Sequence, residues 1–260
     1  MVKGLEKFVK HFEGLEDAYV LIGGAACDVW LDVKALPFRV TKDLDLVIIV
    51  EGLSPEFFTR LWDFIRTGHY ESLEQSAERP EFYRFMKPKD SSHPFMIELL
   101  TRNHLELPEG VHLTPIPADE DISSLSAILL NDDYYRYVVS TRVRINGIPV
   151  VPANCLIPLK ARAWLDLTRR RDAGEKVKGD DIKKHRNDVF RLFRSLAASD
   201  RYALPVQLKS DLSAFLEKHP QESEDWQGIR QSVGTDELET PRVILDQLRT
   251  IFGLDDKNAD

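Results

Sequence analysis

Apolar residues recur at intervals of three and four positions at the start of the chain, which predicts an amphipathic helix over residues 2–15. The uninterrupted apolar run Tyr19 to Ile22 is typical of a short buried strand and leads directly into Gly23-Gly24. Residues 25–31 suit a helix. The run Leu44 to Val50 predicts a second strand after a loop that contains Pro37.

Further along the chain, Ser54-Pro55 is a helix-start signal, with serine as the cap and proline in the first turn, and Gly68 marks the expected helix end. Three later runs predict strands, and Asn146-Gly147 predicts a tight hairpin turn into residues 148–151. These strand predictions cover residues 82–86, 95–100 and 134–145.

The pattern changes after Pro152, where helical periodicity replaces short apolar runs. Helices are predicted over residues 156–171, 181–198, 206–218 and 241–252. We therefore predict an α+β protein in two parts: a small mixed β-sheet with flanking helices over residues 1–152, and a helical C-terminal domain over residues 153–260.

Composition narrows the class of protein. No apolar run approaches the roughly 18 residues of a membrane-spanning helix, and no signal-peptide core is evident, so a cytoplasmic protein without a membrane anchor is expected. Cys27 and Cys155 are too few for a disulfide framework. The net charge of −8 argues against a uniformly basic nucleic-acid binder. Residues 160–194 nevertheless contain 12 Lys and Arg against 6 Asp and Glu, which is compatible either with a bound polyanion or with a solvated helical surface.

The candidate chemistry is concentrated around Asp43 and Asp45. Alternation along a strand places both carboxylates on one face, where they repel each other unless a cation lies between them. The preceding Gly23-Gly24 pair can bring backbone N–H groups close to phosphates. These features together predict a site for a magnesium nucleotide.

Glu98 is the candidate third acid. It lies within the apolar run of residues 95–100, where a carboxylate is costly to bury without a cation or a hydrogen-bond donor. If its strand is adjacent to that of Asp45, three carboxylates converge, as Mg²⁺ coordination favours. The alternative is a solvated acid on an edge strand.

Two lysines and a further aspartate are candidates in the helical part. Lys184 and Asp188 are four residues apart on a predicted helix and so share a face, either as part of a site or as an ordinary surface ion pair. Lys160 begins an apolar-faced helix, where it could contact phosphate or simply extend its amine to solvent.

With these residues in view, the chain resembles the DNA polymerase β-like nucleotidyltransferases, and among them the AbiEii type, many of which are toxins of toxin–antitoxin pairs. The resemblance covers about residues 18–194 and rests on Gly23-Gly24, Arg39-x-Thr41-x-Asp43-x-Asp45, Glu98, Lys160 and Lys184-x-x-x-Asp188.

The resemblance implies a mixed-sheet nucleotidyltransferase core followed by helices. It implies that Gly23 and Gly24 approach the triphosphate, flanked by Arg39 and Thr41. It further implies that Asp43, Asp45 and Glu98 bind Mg²⁺ (or Mn²⁺) and that Glu98 also assists deprotonation of the acceptor hydroxyl. In the helical part, it implies that Lys160 and Lys184 contact phosphates and that Asp188 orients a lysine or the nucleotide.

We therefore expect an enzyme that moves a nucleoside monophosphate from a nucleoside triphosphate to an acceptor hydroxyl. An RNA acceptor such as tRNA fits the basic segment, and a toxin would have an antitoxin protein as its partner. A small-molecule acceptor, as in antibiotic-modifying relatives, fits the acidic remainder better. A non-catalytic protein of the same fold that binds a nucleotide or a partner is the alternative of another class.

Overall fold

The computed structural model describes residues 2–49, 54–70, 82–100, 131–234 and 239–255. The chain divides into two compact units: residues 1–130 with 138–152, and residues 131–137 with 153–260. The first is a mixed α/β unit and the second is helical, in agreement with the predicted fold class. No helix in the described ranges is both long and apolar enough to cross a membrane.

The described part of the first unit contains a six-stranded mixed sheet in the order β3-β4-β2-β1-β6-β5. β1 pairs antiparallel with β2 and parallel with β6, and β2 pairs parallel with β4. The pairs β3–β4 and β5–β6 are antiparallel. The strands are β1 Tyr19–Ile22, β2 Asp43–Ile48, β3 Phe82–Met86, β4 Met96–Leu100, β5 Val143–Ile145 and β6 Ile148–Val150.

Helices α1 Leu5–His11, α2 Gly23–Asp32 and α3 Pro55–Gly68 accompany this sheet. Ser54 caps α3 as predicted, because its side chain accepts a hydrogen bond from the backbone N–H of Phe57 at 3.2 Å. A cluster of buried aromatic rings joins α1, α3 and β1; its members are Phe8, Phe12, Tyr19, Phe57 and Phe64.

The predicted long strand over residues 134–145 is wrong. Residues Asp132–Thr141 form helix α4, and only Val143–Ile145 is a strand. Asn131 caps this helix by accepting a hydrogen bond from Asp133 N at 2.9 Å, and the buried positions 134, 135, 137 and 138 follow helical spacing instead of alternation. The aromatic and β-branched composition favoured a strand, but capping and periodicity decided the outcome.

The hairpin turn at Asn146-Gly147 is confirmed: both residues have positive φ, 50° and 81°, and join β5 to β6. The second unit contains the helices α5 Ala153–Asp172, α6 Gly179–Phe193, α7 Val206–Glu217, α8 Asp225–Val233 and α9 Pro241–Ile251. Of these, α8 was not predicted. The second unit's core includes Trp164, Phe190, Phe215 and His219.

Candidate functional site

A row of polar side chains crosses the middle of the sheet in the first unit. Asp45 of β2 is the register partner of Glu98 of β4, and Glu98 is in turn the partner of Arg84 of β3. Side chains of directly paired residues lie on the same face of a sheet. The convergence of Asp45 and Glu98, which the sequence left conditional on strand order, therefore occurs.

Asp43 lies on the same face as Asp45, two residues earlier in β2. Asp43 is partly exposed, whereas Asp45 retains only 9% of its accessible surface. The two carboxylates therefore line one end of β2, with the outer one open to solvent and the inner one enclosed. Two acids in this arrangement offer oxygen ligands to an incoming cation.

The two glycines bring backbone against this face. Gly23 begins α2 immediately after Ile22, which is the register partner of Asp45 on β1. Its φ is +65°, and a Cβ built on it would overlap Asp45 Oδ2 and lie 2.7 Å from Asp45 Cγ. Only glycine fits here, because the left-handed backbone and the close carboxylate each disfavour a side chain.

Gly24 makes a similar approach to the segment before β2. A Cβ at Gly24 would lie 2.7 Å from Thr41 Oγ1, so Thr41 packs directly over the start of α2. Arg39 lies in the same irregular segment, with its guanidinium 5.1 Å from the ring of Phe38. Thr41 and Asp45 therefore both lie against the N-terminus of α2, a position where backbone N–H groups favour anions.

Arg84 is the residue of this site that sequence reasoning missed. Its Nε and Nη2 lie 2.6 and 2.5 Å from Glu98 Oε1, and Glu98 is 2% exposed. The donor that a buried Glu98 requires is thus a neighbouring guanidinium. A signal was present: Arg84 interrupts the otherwise apolar run Phe82 to Met86, as Glu98 does in the next strand.

The fit of these side chains to Mg²⁺ is partial. Asp43 and Asp45 fit a cation that arrives with substrate phosphates, since Mg²⁺ commonly uses one or two carboxylates and keeps its other positions for water and phosphate. Within the described ranges, however, no three His, Cys, Asp or Glu side chains form a group able to hold a metal ion. In this arrangement Arg84 contacts the Glu98 carboxylate. That Glu98 is a third ligand of Mg²⁺ therefore stays a prediction.

In the second unit, Lys160 and Asp188 form a buried ion pair. Lys160 Nζ lies 3.3 Å from Asp188 Oδ2, with side-chain exposures of 2% and 0%. Arg191 completes the cluster, with Nη1 2.7 Å from Asp188 Oδ1 and Nη2 donating to Ser232 O at 2.7 Å. The cluster joins α5, α6 and α8, and one carboxylate there faces two cations.

Lys184 does not pair with Asp188 as its spacing predicted. Its Nζ lies 2.9 Å from Asp181 Oδ1, and both of these side chains are largely exposed. Asp188 instead points into the core, because α6 turns its apolar face and Asp188 inward together. The lysine that Asp188 contacts is Lys160, and Lys184 remains an accessible cation on the surface of α6.

No family model and no curated protein matches this chain. Among solved structures it is similar to an antigenic nucleotidyltransferase-like protein from Paracoccidioides brasiliensis, at 17% sequence identity over 88% of this chain and 90% of that one. The TM-score is 0.43, which is too low to carry a functional argument. Any functional assignment therefore depends on the residues and geometry of the chain itself.

Proposed function

We propose that this protein is a magnesium-dependent nucleotidyltransferase. The observation that carries the proposal is the packing of Gly23 directly against Asp45, which brings the start of α2 beside one of the two aspartates on this face of β2. A triphosphate is anionic and usually carries a divalent cation. Backbone N–H groups favour the phosphates and the aspartates favour the cation, so the two features recognise the two parts of one ligand.

In the proposed reaction, an oxygen of the acceptor hydroxyl bonds to the α-phosphorus while the bond from that phosphorus to the bridging oxygen of the β-phosphate breaks. The products are a nucleotidylated acceptor and pyrophosphate. Mg²⁺, held by Asp43 and Asp45, would supply charge neutralisation on the phosphate oxygens. Gly23 and Gly24 would orient the triphosphate, and Glu98 would receive the hydroxyl proton.

Arg39 and Thr41 are proposed to contact the nucleotide from the segment before β2, because Thr41 already packs against Gly24. Lys184 is proposed as an accessible phosphate contact. Lys160 is also proposed as a phosphate contact. Asp188 is proposed to orient the Lys160 side chain, whose Nζ lies 3.3 Å from Asp188 Oδ2.

Transfer is tested by incubating the protein with each labelled nucleoside triphosphate, Mg²⁺ and total cell extract. We expect one class of acceptor to become labelled, and Asp43→Asn and Asp45→Asn to abolish the label. Asp32→Asn is the matched control, because Asp32 is an exposed acid at the far end of α2. Labelling that survives both Asp43→Asn and Asp45→Asn contradicts the site assignment.

The acceptor is proposed to be RNA, such as tRNA, because residues 160–194 retain an excess of four positive charges in an otherwise acidic chain when the buried Lys160, Arg186, Asp188 and Arg191 are left out. Binding through several phosphates should weaken steeply between 50 and 200 mM salt, by roughly 10³-fold if about six phosphates are contacted. A flat salt dependence would favour a small-molecule acceptor instead. A toxin role with an antitoxin partner is part of this version and is tested by growth arrest on expression.

The non-catalytic alternative makes a different prediction for the same site. A protein that only binds should retain magnesium nucleotide without releasing pyrophosphate, whatever acceptor is added. Measuring pyrophosphate release alongside nucleotide binding separates an enzyme from a protein that only binds. In an enzyme, Asp45→Asn should abolish both nucleotide binding and pyrophosphate release. In a protein that only binds, Asp45→Asn should abolish nucleotide binding, and no pyrophosphate release should be present to lose.

A further inference from the structure

Arg84 contacts the Glu98 carboxylate at the place where a metal ion would have to bind that side chain. It lies opposite Glu98 in register, and two of its nitrogens contact the same carboxylate oxygen at 2.6 and 2.5 Å. The side chains retain 15% and 3% exposure, so solvent screens the pair weakly. Removing the guanidinium would leave the buried Glu98 carboxylate without this contact, which is strongly unfavourable.

The charges of the row lead to the same conclusion. The Arg84 guanidinium already neutralises the Glu98 carboxylate, and both side chains are largely buried. A divalent cation at Asp43 and Asp45 would gain no ligand from Glu98 while this ion pair is intact. A second divalent cation at Glu98 would have to displace Arg84 and leave that guanidinium partly buried without its carboxylate, which is unfavourable.

We propose that Arg84 replaces a metal ion at Glu98, so that the site binds one divalent cation through Asp43 and Asp45 alone. This inference rests on the proposed function for the identity of the site. Arg84 is then a positioning residue: it fixes the orientation of the Glu98 carboxylate and keeps that carboxylate from coordinating metal. The arginine thus sets how many divalent cations the site accepts.

The test is titration with Mn²⁺, which replaces Mg²⁺ and can be counted by electron paramagnetic resonance without nucleotide or turnover. The wild-type protein should bind one Mn²⁺ at this site. Glu98→Gln should leave its affinity within about twofold, because the amide oxygen of the substituted side chain still accepts a hydrogen bond from Arg84 and no ligand is lost. Asp45→Asn should weaken binding by roughly tenfold or more, the scale seen on removing groups that support a metal site.

Arg84→Met is the complementary variant. It frees Glu98, so we expect either a second Mn²⁺ or an affinity at least roughly tenfold higher. Adding Glu98→Gln to Arg84→Met should return the protein to wild-type binding. Arg84→Lys keeps the positive charge and should bind a single Mn²⁺, which separates the effect of charge from that of a perturbed fold.

The inference is overturned if Glu98→Gln weakens Mn²⁺ binding as much as Asp45→Asn, because Glu98 would then be a ligand. It is also overturned if neither the wild type nor Arg84→Met binds Mn²⁺. Because the readout is metal stoichiometry, it is independent of nucleotide transfer. A protein that shows the expected Mn²⁺ pattern but labels no acceptor would retain this inference and lose the proposed function.

Discussion

Replacing Gly23 by alanine tests the central contact of the site. Gly23 has φ +65°, and the added Cβ would overlap Asp45 Oδ2. Gly14 offers a matched control in the same unit, because its φ is +85° but a Cβ there would meet nothing within 4 Å. The two alanine variants therefore share the backbone cost and differ in the contact with Asp45.

The expected magnitudes follow from these two terms. A left-handed backbone costs an L-residue about 1–2 kcal/mol, and restriction of the unfolded chain by alanine returns about 0.4–1 kcal/mol. Gly14→Ala should therefore lower the free energy of unfolding by about 1 kcal/mol. Gly23→Ala adds an overpacking cost of about 1–3 kcal/mol, since Asp45 is enclosed by the sheet and must shift to make room.

Urea unfolding of both variants, followed by circular dichroism, measures these differences, and a double-mutant cycle with Asp45→Ala isolates the contact. In the Asp45→Ala background the overlapping carboxylate is absent, so the cost of Gly23→Ala should fall toward that of Gly14→Ala. Mn²⁺ binding by the single Gly23→Ala variant should also weaken, because Asp45 is displaced. Equal costs for Gly23→Ala in both backgrounds would refute this reasoning.

Three further predictions concern the helices and the buried charges. Asp188→Asn should lower the free energy of unfolding by about 3–5 kcal/mol because it removes the buried carboxylate that Lys160 and Arg191 both contact. Lys184→Ala should change the free energy of unfolding by less than about 1 kcal/mol. Equal effects of the two substitutions in urea unfolding would contradict the buried cluster. Burial lowers the pKa of His219, so only the unfolded chain takes up this proton as the pH falls below about 6.5, and stability declines over that range down to the lowered pKa. His219→Phe should lose less stability than the wild type between pH 7.5 and pH 5, and an unchanged decline would exclude His219 as a contributor. Ser54→Ala should cost about 1 kcal/mol through loss of the α3 cap, with Ser54→Gly nearer to wild type in the same assay.

Local patterns were sufficient for much of the fold. The start of α3 at Ser54-Pro55 and the hairpin at Asn146-Gly147 were predicted because capping and turn geometry depend on adjacent residues. Helix α4 was mispredicted as a strand, since its composition and its periodicity favour different structures. Helix α8 was missed, and its buried residues Trp226, Ile229 and Val233 do follow helical spacing.

In the candidate site, too, some features follow from local sequence patterns and others depend on the pairing of distant strands. That Asp43 and Asp45 share a face follows from strand alternation alone. That Glu98 lies beside Asp45 depends on the parallel pairing of β2 with β4, two strands separated by about fifty residues of chain, which no local pattern specifies. Arg84 went unnoticed for the same reason, because its importance depends on its register opposite Glu98.

By itself, the sequence determined the two-part α+β character, the paired aspartates at the start of an apolar strand and the glycines that precede them, because each depends on residues close together in the chain. Only the tertiary structure decided which side chains neutralise one another. In the structure Glu98 contacts Arg84, and Asp188 contacts Lys160. Helical spacing had instead predicted a contact between Asp188 and Lys184, which contacts Asp181. Burial is the physical reason: a carboxylate removed from water requires a cation nearby, and packing of distant elements determines which cation that is.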